Sequence, residues 1–155
     1  MAEFEPRNPD FAAVVRDSFE RQPFMALMGA ELISVTPGAC EIGLDHRQEL
    51  TQQHGFIHGG AVGAIIDSAM GYAGFSLIEA GSTALTIEYK LNLVAPADGM
   101  RLIARGAVAR AGRTLMVSRG EVFAVRDGAE TLCAVATQTL MILADRADGP
   151  AYNRP

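Results

Sequence analysis

The strongest constraint on the fold is the run from Ala61 to Ile78, apolar at almost every position and opened by the doublet Gly59-Gly60. A helix that is apolar on every side has no solvent face, so the rest of the chain must wrap it. One carboxylate, Asp67, interrupts the run. Acidic side chains are almost never fully buried without a partner, and an unpaired one is costly. The run is long enough to cross a bilayer. It also carries Asp67, Gly63, Gly71 and Gly74, which argues for a protein interior over lipid.

The flanking chain supplies the wrapping. Asp10 is placed to cap a helix running to about Gln22, with Phe11, Val14, Val15 and Phe19 as its apolar stripe and Pro23 as its stop. Phe24–Met28 adds a short turn. Ala30–Val35 and Ala39–Leu44 read as a hairpin around Thr36-Pro37-Gly38. Asp45–Ile57 reads as a loop, and His58 to about Glu79 as the central helix. Four strand-like segments follow: Ala84–Val94, Arg101–Arg110, Thr114–Arg126 and Thr131–Leu143. Short turns between long strands give antiparallel pairing. The predicted fold class is α+β, an antiparallel sheet of about six strands wrapped around one long central helix. Residues 1–155 form one domain, with 1–8 and 144–155 flexible.

Charge and cysteine usage narrow the function classes. The net charge of -5 argues against a general nucleic-acid binder, which wants a basic surface. Cys40 and Cys133 lie far apart, in no metal-ligand spacing, and both read as buried, inert thiols. Met1–Pro9 is polar and not a signal peptide, so the chain reads as cytoplasmic with reduced thiols and no membrane association. Arg101, Arg105, Arg110, Arg113, Arg119 and Arg126 face only Glu121 within residues 101–126, a local charge of +5. Some must lie on a solvated face. Arg110 and Arg113 flank the Ala111-Gly112 turn, where they could hold a phosphate.

Two readings fit each residue of the central stretch. Gly59 and Gly60 could leave helix N–H groups open to a substrate oxygen, an oxyanion hole worth about 3 kcal/mol per donor. They could equally make only a tight turn. Asp67 could be a general base or nucleophile, or half of a structural salt bridge. His58 suits a structural hydrogen bond at the start of the helix better than a base. His46 and His54 have no fixed partner, and Ser68 lacks the glycines of a serine-hydrolase elbow. Gly59 and Asp67 lie eight positions apart, roughly 12 Å along a helix. One reacting carbonyl must sit about 3 Å from both donor and base. One helix cannot serve both, so catalysis by both implies at least a dimer with two composite sites.

Three stretches carry a resemblance: Gly55-Phe56-Ile57-His58-Gly59-Gly60 with Asp67 nine residues after the histidine, Leu85–Ala97 (LTIEYKLNLVAPA), and Arg110-Ala111-Gly112-Arg113-Thr114-Leu115. In this order the chain resembles the hotdog-fold thioesterases, and among them the PaaI-like acyl-CoA thioesterases, over roughly residues 24–143. The resemblance implies that the Gly59 N–H polarises a thioester carbonyl. It implies that Asp67 of a neighbouring chain acts as base or nucleophile. Gln52 stands where the family commonly has Asn, and Thr86 where a hydroxyl often positions water. His58 heads the motif and joins this catalytic set. Gly60, Arg110 and Arg113 are implied in binding substrate, the arginines through the CoA phosphates. The implied partner is an acyl-CoA or aryl-CoA, and the implied assembly a homodimer or homotetramer. No metal or cofactor is implied. The pocket would draw on Met70, Phe75 and residues near Phe56.

The competing readings are a non-catalytic acyl-CoA-binding hotdog domain and a dehydratase of the same fold. The first would be expected to lack the acid, which is present. The second wants a histidine paired with a carboxylate in another arrangement.

Overall fold

A computed structural model describes residues 4–149. Helix α1 (Phe11–Glu20) and helix α2 (Pro23–Met28) lead into strands β1 (Ala30–Thr36) and β2 (Ala39–Asp45). Helix α3 (Gly59–Phe75) follows, then β3 (Thr83–Leu93), β4 (Arg101–Ala111), β5 (Leu115–Arg126) and β6 (Ala129–Leu143). All six strands form one antiparallel sheet in the order β1-β2-β4-β5-β6-β3. Helix α3 packs on one face of it. This is the predicted α+β architecture and the hotdog fold.

The sheet can seat α3 because a row of small residues crosses it. Cys40, Gly106, Gly120 and Ala136 are register neighbours on β2, β4, β5 and β6. A Cβ on Gly106 would lie 2.3 Å from the carbonyl oxygen of Ala69, and one on Gly120 would lie 2.8 Å from Ile66 Cγ1. The helix backbone therefore rests directly on the β4 backbone. Larger inward residues flank the row: Leu102 and Val108 on β4, Met116 and Val122 on β5, Leu140 on β6. Turn chemistry fixes this register. Asp127 and Gly128 both have positive φ (52° and 78°), as a two-residue hairpin between β5 and β6 requires.

Several sequence expectations need correction. The helix predicted to reach Glu79 ends at Phe75. Ser76 Oγ donates to the Ala73 carbonyl and accepts from Gly38 N–H, and Leu77 and Ile78 continue in tighter i→i−3 bonds while staying buried. Asp10 sits at the N-cap of α1 but makes no side-chain cap bond. The buried face of α1 is Val15, Ser18 and Phe19, with Val14 exposed. The loop before α3 holds a 3-10 turn at Gln48–Leu50.

Particular residues of the two ends touch the body. Phe4 packs against the core, and Asn8 is buried. Asp148 accepts from Arg21 at 2.8 Å and from Thr83 at 3.1 Å. Residues 1–3 and 150–155 lie outside the described residues.

Helix α3 is not enclosed on every side, as its composition suggested. Gly60, Ala64, Asp67, Ser68 and Gly71 are partly or fully exposed. Their spacing of three and four residues makes one stripe. The sheet, with α1 against Tyr72, covers the rest of the helix and leaves this line open.

Candidate active site

The open stripe separates two cavities, one at each chemically distinct part of the helix. The first, about 410 Å³, is lined by Gln52, Phe56, Gly59, Val62, Leu93 and Pro96, among others. The second, about 540 Å³, is lined by Asp67, Gly71, Tyr72, Phe75, Thr86 and Leu140, with Arg21, Gln22 and Asp148 at its polar end. Predicted site residues thus fall into two groups, Gln52 with Gly59 and Thr86 with Asp67.

At the first cavity, His58 is the N-cap of α3. Its Nδ1 accepts the Gly60 N–H at 2.8 Å. This histidine nitrogen is committed to the helix end, which leaves it no base role there. The Gly60 N–H is likewise used, so it is not a free donor for substrate. The Gly59 N–H has no protein acceptor among the described residues. A first-turn N–H at the positive end of the helix dipole polarises an oxygen placed before it. A Cβ on residue 59 would meet Leu93 Cδ1 at 2.9 Å, so a side chain there would crowd the approach. Gln52 accepts the His54 N–H through its Oε1 and lines the first cavity.

At the second cavity, Asp67 is half-buried on the stripe. Its Oδ1 accepts from Thr86 Oγ1 at 2.9 Å and from Gln138 Nε2. Its Oδ2 has no protein donor among the described residues. Among the described residues no basic side chain pairs with it. The arrangement anchors one carboxylate oxygen and leaves the other without a donor among the described residues, on a side chain that lines a cavity large enough for an organic group. Gln138 was missed in the sequence. Its signal was faint: an amide at an inward position of β6, between Ala136 and Leu140.

The polar end of this cavity is a connected chain. Gln22 Nε2 donates to Tyr72 Oη at 2.6 Å, and Tyr72 Oη lies 3.2 Å from Ser18 Oγ. Burial pushes the Tyr72 phenol up from its ordinary pKa. Burial alone would also raise the Asp148 carboxyl, but hydrogen bonds from Ser18, Arg21 and Thr83 outweigh it and hold the group below its usual range.

The remaining predictions sort by burial. Phe75 lines the second cavity and Phe56 the first, whereas Met70 is fully buried against Gly120 and lines neither. Arg110 and Arg113 are exposed at the β4–β5 turn, also away from both cavities. The arginine-rich segment is not one basic patch. Arg101 pairs with Glu31 and Asp45, both at 2.7 Å. Arg105 pairs with Glu41 at 2.8 Å and Glu130 at 2.7 Å, and Arg126 with Asp98. Arg110, Arg113 and Arg119 have no carboxylate partner among the described residues. Cys40 is buried and its thiol pushed up to about 12 by burial, while burial also raises Cys133. No helix among the described residues is long and apolar enough to cross a membrane.

Comparison with known proteins adds the following. Residues 54–131 match the model of the thioesterase superfamily. A thioesterase family protein of Silicibacter pomeroyi is similar at 47% identity, with a TM-score of 0.84 over 86% of this chain and 98% of that one. A conserved protein of Pseudomonas aeruginosa shares 27% identity at a TM-score of 0.74, over 83% and 98% of the two chains. The PaaI protein of the Escherichia coli phenylacetic acid degradation operon shares the fold, with 19% identity and a TM-score of 0.75 over 84% and 91%. No curated protein sequence matches the chain.

Proposed function

The chain belongs to the thioesterase superfamily, and from that premise we propose that it hydrolyses acyl-CoA or aryl-CoA thioesters to the free acid and CoA. The observation that carries the reading is Asp67. It is a lone carboxylate on the open stripe of α3 that lines a cavity, anchored through Oδ1 by Thr86 and Gln138, with Oδ2 free of donors among the described residues. Asp67 takes a proton from the attacking water, or attacks the thioester carbon itself. The carbonyl oxygen gains negative charge and is stabilised by the Gly59 N–H. The C–S bond then breaks and the thiolate leaves, to be protonated as CoA by the proton Asp67 took from water. Where Asp67 attacks directly, water hydrolyses the acyl–Asp67 anhydride left behind, which frees the acid, restores the carboxylate and supplies the proton for the thiolate.

The two groups come from different subunits in this reading. Gly59 and Asp67 lie in separate cavities, as the helix rise requires. Strand β3 is an edge of the sheet and exposes Leu85, Ile87, Tyr89 and Leu93. An unpaired apolar edge of this kind is ordinarily covered. A second copy meeting β3 and the α3 stripe would bring Gly59 of one chain toward Asp67 of the other. A homodimer is the minimum unit, and pairing of dimers gives a homotetramer. Arg113, with Arg110, binds the CoA phosphates from its exposed turn.

Thiol release from a panel of acyl-CoA esters tests the core of this reading. Asp67→Ala should lose at least about 100-fold in kcat, the scale of general-base catalysis. Full activity in that variant refutes the assignment. Tight acyl-CoA binding without hydrolysis by the wild type would favour the non-catalytic domain. Arg113→Ala should raise KM about 5- to 10-fold for CoA esters, the worth of one charged contact, and leave the KM for the matching pantetheine ester unchanged. Equal changes for both esters would remove the phosphate role.

A further inference from the structure

Gln138 sits on the inner face of β6 with 1% of its surface exposed, flanked on that face by Ala134, Ala136 and Leu140. A primary amide in such surroundings is costly unless its hydrogen bonds are made. Its Nε2 lies within bonding distance of three acceptors: Asp67 Oδ1, the Asp67 backbone carbonyl at 3.1 Å, and Thr86 Oγ1 at 3.0 Å. One nitrogen with two hydrogens therefore grips both the side chain and the backbone of a single residue.

We propose that Gln138 is a positioning residue for the reaction, holding Asp67 by Oδ1 so that Oδ2 is the oxygen presented to the reacting group. This rests on the reading of Asp67 given above. Thr86 supplies the second donor to the same oxygen, at 2.9 Å. Two donors converge on Oδ1 and none on Oδ2, an asymmetry that fixes which oxygen is free. The other end of the amide argues against simple space filling. Gln138 Oε1 is buried without a partner, and so is the hydroxyl of Ser118, its register neighbour on β5. A methionine or leucine would fill that volume without stranding a carbonyl. Whatever the amide contributes must come from its Nε2 side. The reverse orientation would set its oxygen against a carboxylate, so the donor role toward Asp67 follows from the surroundings.

The test uses the full chain, an acyl-CoA ester, and two substitutions read alongside thermal midpoints. Gln138→Met keeps the length and removes the donors. Its kcat should fall about 10- to 100-fold, the loss expected for a hydrogen bond to a charged acceptor, with KM little changed. In an Asp67→Asn background the same substitution should cost nothing further, because it acts through that carboxylate. The same fractional loss in both backgrounds would mean a general structural role and overturn the proposal. Gln138→Glu keeps the shape and adds a carboxyl beside Asp67. Two carboxylates in contact cannot both ionise readily, so its activity relative to wild type should fall as pH rises from about 5 to 8. A flat ratio would overturn the proposal even if the methionine variant does not fold. Full activity of Asp67→Asn alone would sink the Asp67 reading and this one together. Loss of activity in Asp67→Asn combined with additivity would sink this one only.

Discussion

In the function proposed above, the two half-sites on α3 are built by different means. At Gly59 the useful group is a backbone N–H, made available by helix geometry and by the lack of a side chain. It needs little beyond the His58 cap, which lies one residue away. At Asp67 the useful group is a side chain, and its environment comes from β3, β6 and the far end of α1. Thr86, Gln138 and Arg21 are 19, 71 and 46 residues distant in sequence. A local half-site tolerates rearrangement of the sheet, whereas a half-site assembled from distant elements inherits every error in their packing. The first should therefore be robust and the second fragile.

The largest effect should come from mixing chains. Asp67→Ala and Gly59→Ala are each expected to lose about 100-fold in activity alone. A refolded equimolar mixture should recover about a quarter of wild-type activity. Half of the dimers are then mixed and each holds one intact composite site. No recovery would place both groups in one subunit's site and erase the contrast between the two halves.

A smaller and separable effect concerns the seat of the helix. A Cβ at residue 106 meets the Ala69 carbonyl oxygen at 2.3 Å, and backbone cannot give way as a side chain can. Gly106→Ala should destabilise the protein by about 1–3 kcal/mol, measured by denaturant unfolding. In the folded fraction it should impair reactions that depend on Asp67 more than substrate contacts made at Gly59. An unchanged midpoint would mean that α3 does not rest on β4 as described.

The smallest effect lies at the polar end of the Asp67 cavity. Asp148→Asn removes the charge that Arg21 meets and should cost less than about 1 kcal/mol near pH 7. Because the folded carboxyl is held below its unfolded pKa of about 3.9, its stabilisation is present above that pH. It is lost as pH falls through the folded value. The gap between wild type and variant, read by thermal melts, should therefore close on acidification below about pH 4. A gap that widens instead would reverse the sign of the coupling.

Much of the fold was legible because its signals are local. Pro37-Gly38 and Asp127-Gly128 mark hairpins through their own backbone preferences, and strand alternation shows at a period of two. Position along the chain also sufficed to set Gly59 and Asp67 apart, since eight positions of helix separate them. The arginine count misled for the opposite reason. Glu31, Glu41, Asp45, Asp98 and Glu130, which neutralise three of the six arginines, belong to other segments. The end of α3 was misplaced because hydropathy does not register the Ser76 hydroxyl bonding to Ala73 and Gly38.

The sequence by itself determined that one apolar helix would be wrapped by an antiparallel sheet, with a single carboxylate on it needing an explanation. Local preferences and the cost of exposing apolar surface decide those points. Only the tertiary structure decided how that carboxylate is held. Gln138 and Thr86 reach Asp67 because β6 and β3 pair beside α3 in one register. A shift of one residue would turn both side chains to the opposite face. The stripe of α3 left open by the sheet is small or polar throughout (Gly60, Ala64, Asp67, Ser68, Gly71), but glycines and alanines also lie on the covered side, so packing decides its extent.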